Sequence, residues 1–108
     1  MTGAPHELHI EDGPNGTLAR ITGEIDQSNA AVIDAALREY GRKRPLAVDL
    51  SAAEYLDSAG IAMFEALRHD TALRLVVAPG SIVSRALAIA GLDQLVTTSQ
   101  SADEIDFT

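Results

Sequence analysis

Residues Leu46 to Gly60 read LAVDLSAAEYLDSAG, a buried strand running into a polar turn that opens a helix. The strand is the apolar run Leu46-Ala47-Val48 with Leu50, and the turn ends in Asp57-Ser58-Ala59-Gly60. Ile61-Ala62-Met63-Phe64-Glu65-Ala66-Leu67 follows with helical composition and length. Ser58 is therefore expected near the helix N-cap. A hydroxyl there can bond the unpaired amides of the first turn, and a phosphate on it would face the positive end of the helix dipole. Read from the residues alone it is first a structural cap, with a switch as the alternative.

Outward from this stretch, Pro45 opens the strand, and the segment before it reads as a helix. Ile33, Ala36, Leu37 and Tyr40 follow the i, i+3, i+4, i+7 spacing of one buried face, Asp26-Gln27-Ser28-Asn29 supplies caps, and Gly41 suits the stop. Further back, His6-Glu7-Leu8-His9-Ile10-Glu11 alternates polar and apolar residues and runs into the turn formers Asp12-Gly13-Pro14-Asn15-Gly16. The run from Thr17 to Ile25 puts Ala19, Ile21, Gly23 and Ile25 on one face, which predicts an antiparallel hairpin. Downstream, Leu73 to Ala78 reads as a strand apolar on both faces, ended by Pro79-Gly80-Ser81. A third helix is expected from about Ile82, with Val83, Ala86, Leu87 and Ala90 on one face and Gly91 as its stop, and Leu95-Val96-Thr97 is a short last strand. The tail from Ser101 to Phe107 has the makings of one helical turn capped by Ser101 and anchored by Ile105, though its charge favours fraying as much. The predicted order is β β α β α β α β with a possible short C-terminal helix. It forms an α/β fold with one small mixed sheet, parallel where helices connect the strands and edged by the N-terminal antiparallel hairpin.

A chain of 108 residues, 46% of them hydrophobic, supports one domain over 1–108 with a real core, with residues 1–5 expected to be disordered. Two Tyr and two Phe are the only aromatic residues, so Leu, Ile, Val and Ala must build that core. No window approaches the roughly 18 consecutive apolar residues of a membrane span, and the N-terminal residues lack the pattern of a secretory signal. Absence of cysteine excludes disulfide and thiol chemistry, and a cytoplasmic location with no membrane partner is the expectation. A net charge of −8, with acids spread along the chain, should repel nucleic acid, and Arg42-Lys43-Arg44 reads as a solvated loop. No direct nucleic-acid partner is expected.

The chemistry-bearing residues argue against an enzyme. His6 and His9 would point to opposite faces of a strand, His69 near a helix end complements the dipole, and none has metal-ligand spacing. There is no G-x-S-x-G elbow, Gly-rich phosphate loop or zinc signature, and no cofactor or metal is expected. Ser58 has only Asp57 beside it, and an adjacent carboxylate does not make a nucleophile-base pair. Asp49 at the end of a central strand could suggest a phosphoacceptor aspartate, but the acidic pair and later lysine that such a site needs are missing. It is expected to satisfy backbone amides at the strand end.

Gly23-Glu24-Ile25-Asp26, Val48-Asp49-Leu50-Ser51, Asp57-Ser58-Ala59-Gly60-Ile61-Ala62 and Leu73-Arg74-Leu75-Val76 with the later Ala90-Gly91-Leu92 occur in an order that resembles the STAS domain of anti-sigma factor antagonists. The resemblance runs from about residue 6 to the tail. It implies that Ser58 is a phosphoacceptor and that the protein takes part in partner switching. The unphosphorylated form would bind an anti-sigma factor serine kinase and release a sigma factor; phosphorylation would end binding, and a serine phosphatase would reset it. It also implies that Asp57 positions Ser58, that Gly60 lets the partner approach the backbone, and that Asp26 and Ser28 share the same exposed rim with Ala59. The chain departs from the family in two places: the segment from Gly60 to Leu73 is shorter, with Arg68-His69-Asp70-Thr71-Ala72 where a Gly-rich loop is usual, and Ala59 replaces a second hydroxyl. The alternative is a STAS subunit that binds permanently without phosphorylation, as in a stressosome-like scaffold or a lipid-transport complex. Oligomeric state is not readable from the sequence.

Overall fold

The computed structural model describes residues 5–42 and 44–98. A hairpin comes first, with β1 (His6–Asp12) antiparallel to β2 (Thr17–Ile25). Its turn is closed by the Gly13 amide donating to the Gly16 carbonyl at 2.8 Å and the Thr17 hydroxyl donating to Asp12 at 2.7 Å. Helix α1 (Ala30–Gly41), strands β3 (Leu46–Asp49) and β4 (Ala53–Leu56), helix α2 (Ser58–Leu67), strand β5 (Leu73–Val77), helix α3 (Ile82–Ile89) and strand β6 (Val96–Thr98) follow. The sheet order is β1-β2-β3-β5-β6, with β4 also on β2, and every contact but the hairpin is parallel. The mixed sheet with an antiparallel edge hairpin is as the sequence predicts.

β4 is a strand that the sequence reading passed over. β2 is nine residues long while β3 has only four, so the far end of β2 lacks a partner on that side once β3 stops. The chain bends there: the Asp49 carboxylate accepts the Ser51 amide at 2.9 Å, and the Ala53 amide donates to the Leu50 carbonyl at 3.1 Å. Ala53–Leu56 then resumes pairing beside Gly23–Ile25 after a register shift between Gly23 and Glu24. Only Leu56 of β4 is buried, which is why no apolar pattern announced it.

Ile33 and Leu37 of α1, Met63, Phe64 and Leu67 of α2, and Val83 and Leu87 of α3 join Ala19, Ile21, Val48, Leu75 and Val77 of the sheet, with Leu50 just past β3, in one core cluster. Tyr40 departs from expectation, being exposed at the end of α1. Gly41 is buried as the last residue of α1, and its φ is not left-handed. A side chain there would press on Thr71 at 2.9 Å and Leu46 at 3.2 Å, so packing rather than helix termination calls for glycine. Gly91 does terminate a helix. With φ +80 it follows the C-cap Ala90; its amide donates to the Ala88 carbonyl at 3.1 Å and the Leu92 amide to the Leu87 carbonyl at 2.9 Å. This paired closure is the Schellman motif, and buried Leu92 completes it with the apolar contact that usually accompanies it. A 3-10 turn at Asp93–Leu95 leads into β6, one residue later than the sequence suggests. Pro5 accepts a bond from the Glu24 amide at 2.9 Å. The remaining N-terminal residues and the expected helical turn at 101–107 lie outside the described residues.

Candidate functional site

β4 delivers the chain from buried Leu56 directly into Asp57, whose extended backbone (φ −98, ψ −174) is that of an N-cap. Asp57 Oδ1 accepts the amides of Ala59 at 2.9 Å and Gly60 at 3.1 Å. Asp57 Oδ2 accepts the Gln27 amide at 3.2 Å, and the Asp57 amide donates to the Ile25 carbonyl at 3.1 Å. One carboxylate thus caps α2 and ties its start to the loop between β2 and α1. An oxygen acceptor at this position satisfies donors that the helix cannot satisfy itself.

The cap is therefore Asp57, and Ser58 is the first residue of the helix. The expectation that Ser58 bonds the first-turn amides is corrected, because those amides are already held by its neighbour. Ser58 is exposed, and its hydroxyl has no hydrogen-bond partner among the described residues. Ala59 is half-buried and packs against the core. Gly60 is fully inside: a Cβ on it would run into Leu56 Cδ1 and stand 2.9 Å from Ile25 Cγ2. Its missing side chain makes room for the interior, not for an approaching partner, which corrects the role expected of it.

The neighbouring loop is held by its own polar side chains. Asp26 Oδ1 accepts the Ser28 amide at 2.8 Å and the Ser28 hydroxyl at 2.5 Å. These bonds, the hydroxyl first and the amide second, hold the Asp26 carboxyl below the usual aspartate range. Asn29 was expected as a cap, and it occupies that position in α1 but makes no side-chain bond to the helix. Instead its buried amide group accepts the Asp26 amide at 3.0 Å and donates to the Glu24 carbonyl at 2.8 Å, with His6 Nδ1 at 3.3 Å. Asn29 is thus an organiser of the loop.

Asp26, Gln27, Ser28, Tyr55 and Asp57 line one shallow depression of about 440 Å³. The structure so brings Asp26, Ser28 and Asp57 together beside Ser58. Tyr55, 46% exposed on β4, is a member that sequence reading missed. Its signal was an aromatic residue two positions before the aspartate in a stretch otherwise read as turn. Asp49 has the bland role expected of it, accepting the Ser51 amide, with Arg20 Nε 3.7 Å away. His9 is exposed beside Glu11, and His69 lies 3.4 Å from Glu65. Among the described residues no group of three or more His, Asp or Glu could hold a metal, and no helix is long and apolar enough to cross a membrane.

The model of the STAS domain matches residues 7–105. The anti-sigma-F factor antagonist RsfB of Mycobacterium tuberculosis is 37% identical over 90 residues, covering 79% of this chain and 74% of the relative. Among solved structures, an anti-sigma factor antagonist from Mycobacterium paratuberculosis superposes with a TM-score of 0.77 at 24% identity, covering 93% of this chain and 90% of that one. The Bacillus cell fate determinant SpoIIAA in its phosphorylated form gives 0.66 at 13% identity, covering 90% of this chain and 95% of that one, a likeness of fold. With nearly the whole length matched and a relative of this identity, the chain belongs to the STAS domain family, homologous within it to the anti-sigma factor antagonist RsfB.

Proposed function

We propose that this protein is a cytoplasmic anti-sigma factor antagonist that binds an anti-sigma factor serine kinase through the rim at the start of α2, and that phosphorylation of Ser58 ends the binding. The observation that carries the proposal is an exposed hydroxyl with no partner among the described residues, set at a helix start beside a polar depression. A kinase can reach such an oxygen without unfolding anything.

The physical account of the switch follows from charge. A phosphoserine brings about −1.5 to −2 charges at neutral pH, and the fold tolerates it because a helix N-terminus favours anions. Asp57 already holds the Ala59 and Gly60 amides and Ser58 is exposed, so a phosphate there displaces no bond of the helix start. In a desolvated interface it would meet a second negative charge on Asp57 and lose its water without a matched partner, and each ~1.4 kcal/mol so lost weakens binding tenfold. Binding falls while the domain stays folded. A serine phosphatase would restore it. In this reading the domain acts by binding and carries out no reaction of its own.

The test is incubation of the protein with its anti-sigma factor kinase and ATP, followed by peptide mass mapping and a binding titration. Phosphate is expected on Ser58, and Ser58→Asp is expected to weaken kinase binding by about 10- to 100-fold, or ~1.4–2.7 kcal/mol. Phosphate elsewhere, or Ser58→Asp binding as tightly as the wild type, would remove the proposal. Silence of both Ser58→Ala and Ser58→Asp would favour a permanently bound scaffold subunit.

A further inference from the structure

Two features of the chain stand apart from the Ser58 rim: Tyr40, exposed where helical spacing predicts burial, and the run Arg42-Lys43-Arg44, which holds three of the chain's eight basic residues. Tyr40, Arg42 and Arg44 meet in a cleft of about 340 Å³ between the end of α1 and the hairpin turn, completed by Asp12 and Glu39. Arg44 builds its wall. Its guanidinium donates to the Gly13 carbonyl and stands 3.8 Å from Asp12, which also accepts the Thr17 hydroxyl at 2.7 Å. The Thr17 amide donates to the Pro45 carbonyl at 2.9 Å, so the segment after α1 is fastened to the hairpin. Arg42 is exposed at the C-cap of α1 and has no ion pair or hydrogen bond among the described residues. Beyond Asp12 the cleft adjoins a second depression of about 520 Å³, lined by Gly13, Gly16 and Leu18.

We propose that this groove is a second docking site and that it takes an acidic segment of a protein partner, with a carboxylate on Arg42 and an apolar side chain against Tyr40. Two adjoining depressions make a groove that suits a stretch of chain better than a compact anion. The charge of Asp12 is already met by Arg44, which leaves Arg42 to attract an acid on a chain whose net charge of −8 otherwise repels one. The groove lies at the opposite end of the sheet from Ser58. β2 begins beside it at Thr17 and ends at Ile25, which pairs with Leu56 just before the Asp57-Ser58 turn, a span of about 26 Å at ~3.3 Å per residue. That span is about three times the ~8 Å screening length at physiological salt, so charge on Ser58 is not felt in the groove. A partner held there stays bound in either state of the switch, and the groove serves even if Ser58 is never phosphorylated.

The test is an NMR titration of the isotope-labelled protein with a capped peptide of alternating glutamate and leucine, with a lysine-leucine peptide and inorganic phosphate as controls. Shifts confined to Tyr40, Arg42 and the hairpin turn are expected, and only with the acidic peptide. Arg42→Glu should weaken its binding by about tenfold or more, Glu39→Gln should tighten it, and Ser58→Asp should leave it unchanged. All three positions are exposed, so the fold is not at stake. An absence of shifts, shifts at the Ser58 rim instead, or tight binding by Arg42→Glu would overturn the proposal. Equal shifts with phosphate would assign the groove to a small anion and overturn it too, as would loss of peptide binding in Ser58→Asp. Failure of the Ser58 switch in the kinase assay would leave each of these readings intact.

Discussion

Each oxygen of the Asp57 carboxylate has its own task, one on the start of α2 and the other on the Gln27 amide, and this division leaves the adjacent Ser58 hydroxyl uncommitted. The mirror arrangement stands across the depression, where Asp26 turns on its own loop and takes both the amide and the hydroxyl of Ser28. The sign of the resulting pH effect is fixed by the direction of the shift. A carboxyl whose folded pKa lies below its unfolded value of about 3.9 contributes stability that is present above that value and lost as pH falls through the folded pKa. Asp26 faces solvent, so the measurable quantity is its own titration. Its carboxyl carbon resonance should titrate below the ordinary aspartate midpoint, and Ser28→Ala should move that midpoint up toward it. An unmoved midpoint would mean that the loop bonds do not hold in solution. That Asp57 and Ser58 lie at a helix start was legible in the D-S-A-G turn, but which of the two caps was not. Both residue types are good caps, and the choice depends on how β4 aims the chain.

At the scale of elements, the start of α2 is positioned by its packing on β2 and β4. Gly60 lies against Leu56 and Ile25, one nearly and one wholly buried and therefore unable to swing aside. Gly60→Ala is expected to destabilise the domain by about 1–3 kcal/mol, as overpacking of a tight interior does, even though alanine is the better helix former. Urea denaturation checks this; a gain in stability would show that propensity outweighs the contact. The three helices and the hairpin were legible because their periodicities are long and their turns are marked by Gly, Pro, Asn and Asp. β4 was hidden for a tertiary reason, since it exists to pair with the half of β2 that β3 leaves bare. Likewise Gly41 looked like a stop in sequence but answers to Thr71 and Leu46 across the core.

Over the whole molecule, one cluster of largely aliphatic side chains surrounds Phe64, the one buried aromatic among the described residues, which is 0% exposed. Phe64→Ala should cost about 3–5 kcal/mol, a large share of the roughly 5–15 kcal/mol of a typical domain. A urea midpoint lowered to that extent, with the slope of the transition unchanged, would report one cooperative unit; two transitions would deny it. The sequence by itself determined the α/β class, the order of all the strands but β4, the helix faces apart from their last residues Tyr40 and Ala90, and the turn that carries Ser58, because periodicity and turn chemistry are local properties. Tertiary structure alone decided that Asp57 is the cap, that Gly60 faces inward, and that Tyr55 joins Asp26 and Ser28 at the rim. Those outcomes depend on which strands become neighbours and which way each crossover turns, and contacts between residues distant in the chain leave no periodic trace in it.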